Sequence, residues 1–207
     1  MKRCWLLLLV LAACPGLAGA TEIEGKWGLG VEVGNLFSSS PETSLIRGRS
    51  ARTAWVLDMS ASARRDDRDL EQHDTLPDTT FTRSLTENYY SIDAGPRLRR
   101  FLRPESSFSP YWDVFAHAVG YSNRQSYSDG YSNRSTEIGG RAGVAFGAEY
   151  FLSKWPVSVA AHTDFATFSG RHTSTRASSG AAFSKTSGTV FSGNVGIRPI
   201  VQVRVYF

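Results

Sequence analysis

The chain has 207 residues, 41% of them hydrophobic, with 23 Lys and Arg against 19 Asp and Glu. This length suits a single domain, and the only two cysteines, Cys4 and Cys14, exclude disulfides and thiolate metal sites from the rest of the sequence. Without residues 1–20, which include Lys2 and Arg3, 21 basic residues face 19 acidic ones, and this near-neutral balance gives no support to a nucleic-acid partner.

The N-terminus has the pattern of a secretory signal peptide. Lys2 and Arg3 precede a short apolar run, and Ala18-Gly19-Ala20 forms a small-residue cleavage site. We therefore predict a signal peptide over residues 1–20 and a mature domain over residues 21–207. The apolar run is too short to span a bilayer as a helix. An alternative stays open, because residues 11–14 resemble a lipobox that would make Cys14 a lipid-bearing first residue.

Alternation of apolar and polar residues predicts β-strands through most of the mature chain. In residues 54–64, for example, Trp55, Leu57 and Met59 share one parity, opposite to Asp58 and Ser60. The same pattern predicts eight strands, at residues 26–37, 43–49, 54–64, 88–101, 111–122, 137–152, 157–168 and 190–207. Residues 65–87, 123–136 and 169–189 lack this period and are predicted to form long exposed loops. The short links at residues 50–53, 103–110 and 153–156 fall on the opposite side.

The last predicted strand ends on an aromatic residue. Val203, Val205 and Phe207 lie on its apolar face, and this ending resembles the closing strand and assembly signal of bacterial outer-membrane β-barrels. The resemblance is to the outer-membrane β-barrel superfamily, the small OmpA/OmpX-type and porin-like barrels. It implies an all-β, eight-stranded, antiparallel up-and-down transmembrane barrel in the outer membrane of a Gram-negative-type bacterium. It also implies contact with outer-membrane lipids, lipopolysaccharide and the β-barrel assembly machinery, and we expect a monomer.

The distribution of charge supports this assignment of faces. An Arg that faces lipid at mid-membrane costs about 2–4 kcal/mol, so charged residues should point into the lumen. The parity of the strands predicts a lumen charge network of Glu32, Asp58, Asp93, Arg97, Arg99, Asp113, Arg141, Glu149, His162, Asp164, Arg198 and Arg204. Acids and bases are nearly equal in number, and an eight-stranded lumen is only wide enough for side chains. We therefore predict a plugged barrel rather than a pore.

The sequence contains no clear catalytic or cofactor motif. His172-Thr173-Ser174 has the spacing of the His-x-Ser pair of lipid A deacylases, but no Glu follows it and it falls in a predicted loop. His162 and Asp164 could form a relay, although a hydrogen bond within the lumen network is the simpler interpretation. We expect no cofactor, no metal and no catalysis, and a structural or surface-interaction role. The alternatives are a lipid-modifying enzyme or a narrow channel for small solutes.

Overall fold

The fold is taken from a computed structural model, which describes residues 23–33, 42–73, 80–152, 155–179, 182–197 and 199–207. The predicted signal peptide and Cys14 lie outside the described residues. The described strands are β1 (Trp27–Glu32), β2 (Thr43–Ser50), β3 (Thr53–His73), β4 (Thr80–Phe101), β5 (Phe108–Tyr127), β6 (Ser132–Phe151), β7 (Val157–Ser179), β8 (Ala182–Val195) and β9 (Pro199–Tyr206). Within the described ranges no helix is long and apolar enough to cross a bilayer.

The strands form one closed antiparallel ring. β1 to β7 pair in chain order, and β9 pairs with both β7 and β1. At this join the backbone N–H of Phe207 donates to Trp27 at 2.8 Å, and the N–H of Trp27 donates to Phe207 at 3.0 Å. Eight strand positions therefore close the ring, and closure gives each strand two hydrogen-bonded neighbours. The prediction of an all-β, eight-stranded, antiparallel up-and-down barrel is confirmed.

The eighth position contains two segments instead of the single strand predicted over residues 190–207. β8 pairs with residues 166–179 in the second half of β7, and β9 pairs with residues 157–163 in its first half. Between these halves the β6–β7 register shifts at Val144 and Ala145, so that Phe165 is the extra residue of a β-bulge. The carbonyl of Phe165 accepts a hydrogen bond of 3.0 Å from the N–H of Gly196. The prediction of one unbroken strand was wrong because its neighbour is bulged.

Large apolar side chains form an exposed band around the ring. On β3, Trp55, Leu57 and Met59 are 39–45% exposed, whereas Val56 and Asp58 between them are 2–3% exposed. The band continues on the neighbouring strands with Leu29, Ile92, Val114, Phe146, Val159, Phe168 and Val201. Aromatic side chains flank it, with Trp27, Trp55, Tyr150, Trp155 and Phe207 towards the rim where β1 begins and β9 ends, and Tyr90 towards the other rim. A barrel in a bilayer requires such a band with aromatic borders.

The three segments predicted as long loops are mainly strand, and that prediction was wrong. β3 continues to His73 and β4 begins at Thr80, while the other two hairpins extend in the same way. Beyond the apolar band both faces of a strand meet water, so no apolar alternation is needed. Charges alternate there instead: Arg64 pairs with Asp66 on one face, and Arg65 with Asp67 on the other. Residues two apart in a strand share a face, which explains both pairs.

The strands extend to different heights on the side of the barrel where hairpins connect β3 with β4, β5 with β6 and β7 with β8. We call this the outer side. The β2–β3 ladder ends at Thr43 and Met59, and the β1–β9 ladder ends at Glu32 and Gln202. Farther out, among the described residues, β3 pairs only with β4 and β8 pairs only with β7. The outer part of the molecule is therefore a six-stranded curved sheet, β3 to β8, which stands on a closed ring.

We expect Met59→Arg to destabilise the barrel by about 2–4 kcal/mol, because the new guanidinium would face the middle of the apolar band. Ala63→Arg is the matched control, since it lies on the same face of β3 next to the first outward Arg and should cost about 0–1 kcal/mol. Reversible denaturant unfolding of the two variants in lipid vesicles measures both values. Equal effects of the two substitutions would contradict the assignment of faces.

Candidate functional site

The lumen is lined by the polar parity of each strand, and glycines make room for its largest side chains. A Cβ on Gly28 would lie 2.9 Å from the ring of Tyr206, and one on Gly30 would lie 3.1 Å from Cγ of Arg204. Both contacts are closer than ordinary van der Waals distance. The two glycines of β1 therefore let Arg204 and Tyr206 fold across the narrow lumen.

Glu149 on β6 is the centre of the innermost ion pairs. Its Oε2 accepts hydrogen bonds from Arg99 at 3.2 Å and from Arg204, and its Oε1 accepts from the hydroxyls of Tyr206, at 2.6 Å, and Ser158. The side chains of Glu149 and Arg204 are 0% exposed. The two arginines reach this carboxylate from opposite sides, since Arg99 belongs to β4 and Arg204 to β9.

The next carboxylates towards the outer side are Asp113 and Asp58, which bind Arg99 and Arg97. Arg99 forms a bidentate pair with Asp113, with both nitrogen–oxygen distances at 2.9 Å. Arg97 donates to Asp58 at 2.8 Å and to Asp113 at 3.3 Å. The hydroxyl of Ser44 donates to the second oxygen of Asp58 at 2.7 Å. Bidentate and charge-assisted hydrogen bonds are the strongest of their kind. We call Asp58, Arg97, Arg99, Asp113, Glu149 and Arg204 the ion-pair plug.

A third set of ion pairs borders the plug on its outer side and is less buried. We call it the third tier; its members are Asp93, His117, Arg141 and Asp164. Arg141 lies 3.0 Å from Asp93 and 3.9 Å from Asp164, and the Nδ1 of His117 lies 2.8 Å from Asp93. Asp164 also lies 3.5 Å from Arg97, which connects this tier to the plug. The side chains of Arg141 and Asp93 are 30% and 25% exposed. Burial of charge thus decreases from the plug towards the outer side.

His162 does not form the predicted pair with Asp164. Its ring is 4% exposed, and both ring nitrogens lack a hydrogen-bond partner among the described residues. Side chains two residues apart in a strand are separated by about 7 Å along the backbone, and Asp164 turns to Arg97 and Arg141 instead. Both interpretations of this pair, the relay and the lumen hydrogen bond, were wrong.

An apolar layer closes the opposite end of the lumen, and sequence reasoning missed it. Ile23, Ile46, Val56 and Ala54 pack there with the rings of Phe101, Tyr111, Phe151 and Tyr206. Ile23 enters from before β1, and its carbonyl lies where a Cβ on Gly48 would be. Apart from Ile23, these residues have the lumen parity of their strands, so their apolar character was a usable signal of this layer.

A cavity of about 520 Å³ opens on the outer side of the third tier. We call it the outer vestibule and define it by Ser62, Asp66, Glu87, Tyr89, Tyr121 and Asn123, which all belong to the concave face of β3, β4 and β5. Sequence reasoning missed this site because half of these residues, Asp66, Glu87 and Asn123, lie in segments predicted as loops. The signal was the polar and aromatic alternation of Glu87, Tyr89 and Ser91.

The structure places the predicted network residues as follows. Eleven of the twelve lie in the lumen: nine form the ion pairs described above, Glu32 is buried at 9% exposure, and His162 is buried without a hydrogen bond to any described residue. Arg198 lies outside the described residues. Val203, Val205 and Phe207 of the predicted assembly signal lie at the seam of the ring, where β9 pairs with β1 and β7.

The possible catalytic residues do not form a site. His172 lies within β7 rather than in a loop, and its Nδ1 is 3.0 Å from the hydroxyl of Thr189. The nearby carboxylate of Glu137 is paired with Arg171 at 3.1 Å. Over the described part of the chain, no cluster of three His, Cys, Asp or Glu side chains could hold a metal ion.

No protein-family model matches the sequence, and no curated protein matches it. Among solved structures, the chain is similar to a major outer membrane protein from Thermus thermophilus, with 9% identity over 88% of this chain and 98% of that one and a TM-score of 0.46. It is also similar to CarO2 of Acinetobacter baumannii, with 10% identity over 88% and 97% of the two chains and a TM-score of 0.25. The all-β barrel that the predicted resemblance implied is confirmed by the closed strand ladders of the structure itself.

Glu149→Gln should lower the free energy of unfolding by about 3–5 kcal/mol, because it leaves Arg99 and Arg204 buried without their shared carboxylate. Glu137→Gln is the control on the same strand and face, where the pair with Arg171 is largely solvated and should contribute at most about 1 kcal/mol. Urea unfolding of both variants in vesicles compares the two values. A similar loss in both would show that the plug is not the stabilising element.

Proposed function

We propose that this chain is an integral outer-membrane barrel with a closed lumen, which acts through its outer surface in a structural or binding role. The continuous apolar band and the closed ring support a position in a bilayer, because lipid cannot satisfy an open sheet edge. The predicted signal peptide and the apolar row of Val203, Val205 and Phe207 support the outer membrane of a Gram-negative-type bacterium. The partners that we propose at this location are lipopolysaccharide and the surrounding lipids.

The closed lumen is supported by the way in which the ion pairs cross it. The contact between Arg99 and Glu149 passes over β5, and the contact between Glu149 and Arg204 passes over β7. The contact between Arg97 and Asp164 passes over two strands. These side chains span the interior rather than lining a free path along the wall. Together with the apolar layer beneath them, these side chains fill the lumen, as expected for a barrel of eight strands.

A channel is the less supported alternative. A conducting lumen needs a continuous water-filled path, and a selective one needs unpaired charge of one sign along that path. Here each arginine of the plug lies within 3.3 Å of a carboxylate. Ions would have to displace pairs that are almost wholly buried, which is costly.

An enzymatic role has equally little support from the described residues. Acyl transfer requires a nucleophile, a base in hydrogen-bond contact with it and an orienting group. His172 bonds to Thr189 instead, and Glu137 is occupied by Arg171. The outer vestibule, by contrast, is open, polar and supported by rigid strands, which favours binding.

Planar-bilayer recording tests the closed lumen. We expect the purified, folded protein to pass no steady current, while the triple variant Arg99→Ala, Glu149→Ala, Phe101→Ala should admit ions in bursts because both its plug and its apolar layer are truncated. Folding of both proteins is checked by the mobility difference between unheated and boiled samples of the outer-membrane fraction. A stable, stepwise current through the unaltered protein would show that it is a channel.

Mass spectrometry of lipid A tests the absence of enzyme activity. We expect the same acyl pattern in cells with and without the expressed protein, since the described residues form no triad. His172→Ala serves as the control variant. A shortened acyl pattern that disappears in this variant would establish the lipid-modifying alternative.

A further inference from the structure

The outer vestibule has a rigid floor and wall. Its floor is the third tier, in which Arg141, Asp93 and His117 are bonded to one another. Its wall continues the inward rows of β3, β4 and β5. β3 and β4 are paired residue by residue throughout, and β4 and β5 are paired in the same way outward from Ala94 and Ala118. The volume of about 520 Å³ lies within the range of about 300–1,000 Å³ that is usual for small-molecule sites.

The charges of the vestibule are already neutralised by one another. Asp66 accepts hydrogen bonds from Arg64, at 3.3 Å, and from Arg68. The hydrogen bond from Arg68 holds the pKa of the Asp66 carboxyl below its usual range, so Asp66 is ionised at neutral pH. The carboxylate of Glu87 accepts from the amides of Asn123 and Gln125. Arg64 and Arg68 also line the cavity, and their two positive charges balance the carboxylates of Asp66 and Glu87. The cavity therefore has no net charge, and neither an anion nor a cation would be attracted strongly.

Two tyrosines provide an amphipathic surface among these polar groups. The rings of Tyr89 and Tyr121 meet edge to face, with centroids 4.8 Å apart and planes at 78°. Both line the cavity. An aromatic ring with a hydroxyl offers an apolar face and a hydrogen-bonding tip, and it loses little conformational freedom on binding because it has few rotatable bonds.

Unused hydrogen-bonding capacity is concentrated at Asn123. Its amide N–H donates to Glu87 at 2.7 Å, but its buried Oδ1 has no hydrogen-bond partner among the described residues. Near the floor, the hydroxyls of Ser62 and Ser91 bond to each other at 2.6 Å, and a hydroxyl can both donate and accept. A buried acceptor without a partner is costly, so a ligand that donates to Oδ1 would gain affinity.

We propose that the outer vestibule binds a neutral pyranose saccharide, an inference that rests on the surface-binding role proposed above. A sugar ring has apolar C–H faces that suit Tyr89 and Tyr121. Its hydroxyls donate and accept in several directions, as Asn123, Glu87 and the serines require. Because it carries no charge, it needs no unpaired ion in the site, and the existing pairs of Asp66 remain intact.

The test uses the full chain folded in lauryldimethylamine-oxide micelles, because detergents with sugar headgroups would compete for the site. Saturation-transfer NMR and calorimetry are run with the neutral trisaccharides cellotriose, maltotriose and triacetylchitotriose. Arginine, glucuronate and glucosamine serve as charged comparison compounds. We expect saturable binding of at least one trisaccharide, with saturation transferred to ring C–H protons, and weaker binding of the charged compounds.

Two variants connect binding to the vestibule. Asn123→Ala should weaken binding about tenfold, the usual effect of a lost hydrogen bond to a buried group. Tyr121→Ala should weaken it by a similar factor through loss of the ring. The controls are Arg124→Ala and Ser122→Ala, which alter the adjacent residues of opposite parity on β5 and should leave affinity unchanged.

The saccharide proposal is overturned if none of the three trisaccharides binds saturably, if the charged compounds bind as tightly, or if Asn123→Ala and its control have equal affinity. Each preparation is also checked for gel mobility and for conductance. A non-conducting, folded barrel that ignores saccharides would refute this inference and leave the closed-lumen function standing. A conducting barrel would refute the closed lumen whatever its affinity for sugars.

Discussion

The structure depends on mutual neutralisation of charges that are buried inside a narrow ring. A single carboxylate or guanidinium in the lumen would lose most of its hydration, and a buried charge is tolerated only when it is paired and hydrogen-bonded. Glu149 meets this condition with two arginines and two hydroxyls, and Asp113 meets it with the bidentate Arg99. All partners of the plug must therefore be present, because the loss of any one of them leaves a buried charge without a counter-charge.

This requirement also fixes the register of the sheet. Side chains alternate along a strand, so a slip of one residue would move every lumen charge to the lipid side and every apolar side chain to the lumen. Arg97 and Arg99 on β4 meet Asp58 on β3 and Asp113 on β5 in only one alignment. The glycines of β1 then follow from the size of the side chains, because Arg204 and Tyr206 occupy the space where a Cβ would be.

Sequence predicted the structure well wherever lipid touches one face and charge touches the other. There, the alternation of Trp55, Leu57 and Met59 with Asp58 correctly predicted a strand, the lipid-facing side of that strand and the position of Asp58 in the lumen network. Pro96 did not disturb this, because it pairs with Leu57 on β3 and coincides with a gap in the β4–β5 ladder. Prediction failed beyond the band, as at residues 65–69, where water wets both faces and removes the apolar period. It also failed at Phe165, because a bulge is a tertiary feature of the pairing strand.

The order of layers along the axis separates two tasks that one narrow barrel would otherwise combine. In the function that we propose, the apolar layer and the plug exclude water, which requires that their side chains pack against or pair with one another. The third tier is bonded to the plug through Asp164 and Arg97, yet Arg141 and Asp93 are partly exposed on its other side. Its contacts hold the floor of the vestibule fixed, while the wall above it is free to vary in side chains without loss of closure. The recognition that we propose at the outer side and the impermeability that we propose below it are thus carried by different residues of the same strands.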